Sequence, residues 1–277
     1  MKSIQIKAPA KINIGLSITS KRDDGFHNLE TLFYPIHDLF DMLKFEVDSH
    51  FSFKSNDPAL TDDESNLIVR AKQILEKVTN KKLSVKIYLQ KNIPSGAGLG
   101  GGSSDAATTL VCLNEMFNLG LNFDTLANLA LELGSDVPFF LRAKPAIGKS
   151  RGEKLTLIDL EITKPIMIVN PNIHVSTKDA FSNIVPSKPK FSYENLVPRI
   201  NDFSFLKENV KNDFEENLFK LFPEIESLKN MFYANGAEFA LMTGTGSTVF
   251  GIFNSLQDAE SAKEIIPNEF FTFISVL

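Results

Sequence analysis

Tryptophan is absent from this 277-residue chain, cysteine occurs once and histidine four times, and the last two scarcities each remove a class of protein. One cysteine, Cys112, allows neither an internal disulfide framework nor a multi-cysteine metal site. The histidines His27, His37, His50 and His174 stand too far apart for the two-histidine zinc helix of a metalloprotease. No apolar run reaches the roughly 18 residues that a membrane-spanning helix needs, and MKSIQIKAPAKIN has no apolar signal core behind its lysines. A cytoplasmic protein with no membrane partner is the expectation. The formal charge is −5 and the 29 basic residues are scattered, so no basic stripe marks a nucleic-acid surface. Internal repeats and low-complexity segments are also missing.

What is present is a chain long enough for two hydrophobic cores, with one concentrated local signal. The stretch IPSGAGLGGGSSDAA, residues 93–107, gathers five of the fifteen glycines into seven positions. Ahead of it, KLSVKIYLQ puts Leu83, Val85, Ile87 and Leu89 on one face, which predicts a half-buried strand. After it, Leu110, Leu113 and Phe117 recur at helical spacing, with Ser103 or Ser104 as the expected cap and Gly120 beyond the end. A second helix is expected from an Asp124 cap through Leu126, Leu129, Ala130 and Leu133 to Gly134, leading into GSDVPFF. Glycine amides at a helix N-terminus present unpaired N–H groups along a favourable dipole, which suits a phosphate.

Up to about residue 100 the pattern is mixed: short strands, one helix near 66–78 and no regular βα alternation, which disfavours a doubly wound parallel sheet. A boundary is expected near 160, dividing 1–160 from 161–277. Beyond it come a strand at 165–169, helical stretches between about 204 and 232 broken at Pro223, a strand pair around TGTGST, a helix from about 256 and a terminal strand. That order is close to the split β-α-β plan of a ferredoxin-like domain.

Other phosphate loops fit poorly. Gly96, Gly98 and Gly101 satisfy GxGxxG, yet the strand ahead alternates and Asp124 follows as a helix cap instead of at a strand end, so the dinucleotide reading fails. AKPAIGKS has Ala143 where a Walker loop requires its first glycine. The HRD and DFG elements of protein kinases are absent.

PSGAGLGGGSSDAA resembles the second motif of the GHMP small-molecule kinases, roughly PxxxGLGSS. KAPAKINIGLSI (7–18) resembles the family's first motif and MTGTGSTVFGIF (242–253) its third, in the family's order over nearly the whole chain. The resemblance implies an α+β, two-domain GHMP kinase fold, with an N-terminal mixed α/β domain carrying a left-over-right type of glycine loop and a C-terminal ferredoxin-like domain. Within the family, RDDGFHNLETLFYPI, the triple glycine and GSDVPFFL are similar to the branch that uses ATP to phosphorylate the 2-hydroxyl of a cytidine-diphosphate-linked methylerythritol in non-mevalonate isoprenoid synthesis. ATP and Mg2+, a small-molecule substrate, no nucleic acid and a monomer or weak homodimer are expected accordingly.

By the same resemblance Asp136 is the catalytic carboxylate that takes the hydroxyl proton, and Lys11 the cation that keeps it ionised. The residues alone also allow Asp136 as the cap of a short helix. Alternation puts Ile12, Ile14 and Leu16 on one strand face and Lys11 and Asn13 together on the other. Asn13 is therefore expected to touch the substrate, the other reading being a solvent-facing lysine. His27 matches the histidine that reads cytosine, Phe26 stands where the family often has tyrosine, and Phe181 is a candidate to stack on the base. For ATP, the loop comprises Pro94, Ser95, Gly96, Ala97, Gly98, Leu99, Gly100, Gly101, Gly102 and Ser103. The Ser104 hydroxyl either caps the helix or approaches Mg2+, and no metal ligand set is assigned. Lys91 and Asn66 are candidates for adenine, each also readable as a turn or cap residue. Asp105, where many relatives carry asparagine, is expected to point away from the nucleotide. Residues 244–247 are expected to form a tight hairpin turn whose glycines permit close approach to the ligand loop.

Two other readings compete. A GHMP kinase for another small alcohol, such as mevalonate or homoserine, would give His27 no base to read. A non-catalytic nucleotide-binding module would have no need of both Lys11 and Asp136.

Overall fold

The structure, a computed structural model, describes residues 3–181 and 184–276. Two compact units are each assembled from several chain segments. The first comprises the described residues up to Ala10, Leu39–Ser95 and Gly100–Ala143; the second comprises Lys11–Asp38, Gly96–Leu99 and the described residues from Lys144 onward.

Strands β1 (Ser3–Lys21) and β2 (His27–Val47) pair as a hairpin and contribute to both units. They run 19 and 21 residues, which corrects the expectation of short strands. The strands run through both Gly15 and Pro35. Gly15 takes φ +84°, and a Cβ there would lie 2.9 Å from the Tyr193 hydroxyl. Pro35, with no N–H to give, falls between the stretch of β2 paired with one neighbour and the stretch paired with the other. Every residue from 10 to 18 is buried, as in strands covered on both faces.

In the first unit, β3 (Ser52–Ser55) precedes α1 (Leu67–Thr79). Asn66 caps α1, its Oδ1 accepting from the Ile68 amide at 2.9 Å. Strand β4 (Val85–Gln90) pairs parallel with β3 and antiparallel with Met42–Val47 of β2. Leu83, Val85, Ile87 and Leu89 are buried, as their alternation predicts. Helices α2 (Gly101–Met116), α3 (Phe123–Leu133) and α4 (Val137–Phe140) follow, with α2 packed on α1, α3 and α4. The cap of α3 is Asn122, which accepts from the Thr125 amide at 2.9 Å. Asp124 instead sits in the first turn, where its charge suits the dipole without a capping bond.

In the second unit, β5 (Ala146–Ser150) pairs antiparallel with Leu29–Phe33 of β2 and with β6 (Lys154–Leu157). The Walker-like Gly148, Lys149 and Ser150 are thus strand residues. The chain continues through β7 (Ile166–Asn170), α5 (Thr177–Phe181), α6 (Tyr193–Leu196), α7 (Phe203–Asn209), α8 (Glu215–Leu221) and α9 (Pro223–Ala234). Pro223 opens α9, where its missing N–H is harmless. Strands β8 (Ala237–Met242) and β9 (Val249–Phe253), helix α10 (Leu256–Lys263) and strand β10 (Phe271–Ser275) complete the unit. The sheet order β10-β7-β9-β8, antiparallel throughout, is the ferredoxin-like arrangement. Phe214, Leu218, Ile225, Leu228 and Phe232 pack with Met167, Val169, Val249 and Phe253 in one core.

Candidate active site

Burial of β1 on both faces decides the first motif, because it leaves Lys11 no solvent-facing option. Lys11 and Asn13 are each 2% exposed. The Lys11 ammonium donates to Asn13 Oδ1 at 2.6 Å and to the Gly98 carbonyl at 2.9 Å. Asn13 donates from Nδ2 to Thr31 Oγ1 at 2.9 Å, and Thr31 Oγ1 in turn donates to the Gly15 carbonyl at 2.6 Å. Thr243 Oγ1 accepts from the Asn13 amide at 2.9 Å and donates to Asn13 Oδ1 at 3.3 Å. The Asn13 side chain therefore orients Lys11.

Glycines bring the second and third motifs against each other. Gly98 has φ +76°, and a Cβ on it would lie 2.4 Å from the Thr243 carbonyl and 3.0 Å from that of Gly246. A Cβ on Gly244 would meet the Gly98 carbonyl at 2.8 Å and the Lys11 ammonium at 3.3 Å. The β8–β9 turn closes through Thr243 N–H to the Thr248 carbonyl at 2.9 Å. Buried Asn212 braces it, donating to the Met242 and Gly244 carbonyls at 2.8 Å each. Lys11, Gly98, Thr243 and Gly244 thus join all three motifs, and the close approach expected of 244–247 is met.

At the start of α2 the cap is Gly100, with φ +72° and no side-chain capping bond. Ser103 and Ser104 lie inside the helix, so neither is the cap. Ser104 Oγ is fully buried without a hydrogen-bond partner. The first-turn amides keep their N–H groups for an anion. Beneath them lies a charged cluster: Lys91 pairs with Asp41 and, at 2.9 Å, with Asp105. Asp41 Oδ1 also accepts the amides of Asn92 and Ile93, at 2.6 and 2.9 Å, which fixes the chain just before the glycines. A Cβ on Gly101 would fall 2.8 Å from the Lys91 ammonium. Burial works against the charge on Lys91, but Asp105 and Asp41 together outweigh it and hold its pKa above the ordinary lysine value. Burial pushes the Asp105 carboxyl up to about 7. Asp105 points into this cluster, while its Oδ1 has no hydrogen-bond partner.

The adenine candidates are otherwise engaged. Besides its ion pairs, Lys91 exchanges both backbone groups with the Asn56 amide. Asn66 uses Oδ1 for its cap and Nδ2 for the Thr61 carbonyl at 2.9 Å. Asp136 precedes α4 with φ −85° and ψ −15°, and its side chain makes no capping bond. Asp136 thus stands at the N-cap position that its plain reading gives it, without the capping bond.

His27 and Phe181, 154 positions apart, come together in the second unit with rings stacked at 5.0 Å and 25°. Phe181 also meets Phe214 edge-on at 4.8 Å. Partial burial, with Lys21 nearby, lowers the His27 pKa, which favours a neutral imidazole with one donor and one acceptor. Phe26 is exposed and carries the Arg151 guanidinium 3.7 Å from its ring centre. Arg22 braces the turn, forking onto Asp24 and reaching Asn28 and Ser150. Among the described residues, no three His, Cys, Asp or Glu side chains gather as a metal cluster. Sequence reasoning missed Thr31, Asp41, Asn212 and Thr243 as supporting groups; of these Thr31, inside RDDGFHNLETLFYPI, and Thr243, beside the third motif's glycines, lay within a local signal.

Comparison with known proteins agrees with this geometry. Residues 66–144 match the family model of the GHMP kinases N terminal domain, and residues 195–272 that of the GHMP kinases C terminal domain. The class is therefore an ATP-dependent small-molecule kinase. The 4-diphosphocytidyl-2-C-methyl-D-erythritol kinase of Bacteroides fragilis is 44% identical over 251 residues, spanning 88% of this chain and 90% of that one. Its namesake in Chlorobium limicola is 40% identical over 277 residues, spanning 98% and 96%. A solved 4-(cytidine 5'-diphospho)-2C-methyl-D-erythritol kinase superimposes with a TM-score of 0.84 at 32% identity, over 98% of both chains. A homoserine kinase from Cytophaga hutchinsonii, with TM-score 0.74 at 20% identity, shares the fold alone. The chain belongs to the GHMP kinases and, within them, to the family of 4-diphosphocytidyl-2-C-methyl-D-erythritol kinases.

Proposed function

We infer that this chain transfers the γ-phosphoryl group of ATP to the 2-hydroxyl of 4-diphosphocytidyl-2-C-methyl-D-erythritol, in non-mevalonate isoprenoid precursor synthesis. The observation that carries the reading is the Lys11–Gly98 hydrogen bond inside a junction of all three family motifs, in a chain 44% identical to a kinase of that name.

The hydroxyl oxygen attacks the γ-phosphorus, the bond from that phosphorus to the β-phosphate oxygen breaks, and ADP leaves with the electron pair. On this reading Asp136 takes the hydroxyl proton and the Lys11 ammonium offsets developing negative charge. Asn13 and Thr243 hold Lys11 in place. Gly96, Gly98 and the first-turn amides of α2 receive the phosphates, with Pro94, Ser95, Ala97 and Leu99 shaping the loop. His27 reads the base edge, with Phe181 and Phe26 packing around the nucleoside. Mg2+, carried on the nucleotide phosphates, neutralises charge on them. The donor set suits such an ion, since Ser104 supplies a buried unpartnered oxygen at the loop and a full protein cage is not required. A cytoplasmic monomer or loose homodimer, divided into domains near residue 160, belongs to the same reading.

ADP release by the purified chain with Mg2+ and ATP, offered the cytidine acceptor, mevalonate, homoserine or galactose, tests it. Turnover with the cytidine compound alone is expected, and Asp136→Asn should abolish it with ATP binding retained. Turnover confined to another acceptor would overturn the acceptor assignment.

A further inference from the structure

None of the roles assigned above uses His174, in the connection between β7 and α5. Its imidazole is exposed and faces the glycine segment, since a Cβ on Gly96 would lie 3.7 Å from Nδ1 and 3.9 Å from Cε1. No described residue hydrogen-bonds to the ring, so both ring nitrogens are available to a ligand.

The backbone around it, by contrast, is held firmly. Asn170 donates from Nδ2 to Thr248 Oγ1 at 2.9 Å and to Ser247 Oγ at 3.2 Å, and its Oδ1 accepts the Asn172 amide at 2.9 Å. Ser247 Oγ in turn donates to the Ile173 carbonyl at 2.7 Å, and Val175 on the other side is buried. The residues flanking His174 are thus tied to the third motif, which itself packs on Gly98. A polar ring whose support is fixed while its own donors stay unpaired is preorganised for a ligand. The neighbouring chain at Gly96 has φ +69° and bears no side chain, which leaves room for a phosphate between backbone and ring.

We propose that His174 is a substrate-binding residue whose imidazole donates a hydrogen bond to a phosphate oxygen lying over residues 96–98. Two groups bring that chemistry to this kinase, the terminal phosphates of ATP and the diphosphate of the cytidine acceptor, so the inference rests on the proposed function. An imidazole serves either one, because an N–H facing an anionic oxygen makes a charge-assisted bond.

The test compares wild type, His174→Ala and His174→Gln in two measurements: calorimetric ATP affinity without acceptor, and KM for the cytidine acceptor at saturating ATP. Removing one charge-assisted bond weakens its ligand by roughly tenfold, and the glutamine amide should recover part of the loss. Weaker ATP binding in His174→Ala assigns the contact to the nucleotide; unchanged ATP binding with a raised acceptor KM assigns it to the acceptor diphosphate. Unchanged affinity for both overturns the proposal, as does a loss that His174→Gln does not reduce. Wild-type protein that binds ATP without turning over the cytidine acceptor would instead overturn the kinase reading, and the ATP measurement would still report on His174.

Discussion

Lys11 and Gly98 are 87 positions apart, yet the ammonium of one donates to the carbonyl of the other at 2.9 Å. The cation assigned to catalysis therefore also braces the segment assigned to phosphate. A site built this way couples chemistry to loop geometry, and the substitutions below separate the two.

Lys11→Ala removes the ammonium and leaves Asn13 Oδ1 and the Gly98 carbonyl without that donor. With charge stabilisation lost, kcat should fall by roughly a hundred- to a thousandfold, while ATP affinity changes far less. Steady-state kinetics alongside calorimetry would check this, and an unaltered kcat would remove Lys11 from the mechanism.

Gly98→Ala forces a Cβ to within 2.4 Å of the Thr243 carbonyl at a φ of +76°. Both partners are backbone, so neither yields cheaply. Destabilisation of about 2 kcal/mol or more is expected, with a raised KM for ATP. Thermal melts and nucleotide titration would show it; a melt identical to wild type would mean that the hairpin does not crowd the loop.

Asp105 should make stability depend on pH. Unfolded, it loses its proton at the ordinary value of 3.8; in the fold, burial pushes it up to about 7. Between those values the folded state keeps a proton that the unfolded chain has released, so this group's contribution falls as pH rises and levels off above about 7. Asp105→Asn, neutral and similar in shape, should raise Tm at both pH 5 and pH 8, with the rise at pH 8 larger by roughly 2–4 °C. An equal shift at both pH values would show that the carboxyl titrates normally.

His27→Ala and Phe181→Ala should each raise the KM of the cytidine acceptor, by roughly tenfold for a lost hydrogen bond or aromatic contact. ATP affinity should stay put in both. Because their rings stack on each other, the double substitution should cost less than the sum of the singles, and strict additivity would show that they act independently.

Local signals carried much of this into the sequence. The alternation of Leu83 to Leu89, the cap alternative for Asn66, the helix break at Pro223 and the paired glycines of the third motif each depend on neighbours within a few positions, and each reads correctly. What failed to read was set by distant partners. The length of β1 did not show, because the residue that crowds Gly15, Tyr193, arrives from far along the chain. Asp41 is one acid among many until Lys91 and two loop amides converge on it. The serines after the glycines were expected to cap α2, but a left-handed glycine needed no side chain to start it. The ion pairs of Lys91 with Asp41 and Asp105 are likewise beyond a linear reading.

The two-sided burial of β1 also sets a rule for how such chains can change length. Lys11 and Asn13 point one way and Ile12 and Ile14 the other, and every one of them is enclosed. Inserting or deleting a single residue between Ala10 and Gly15 would exchange the two sets, placing isoleucines beside Gly98 and an ammonium among aliphatic side chains. The first motif therefore acts as a fixed reading frame written in space.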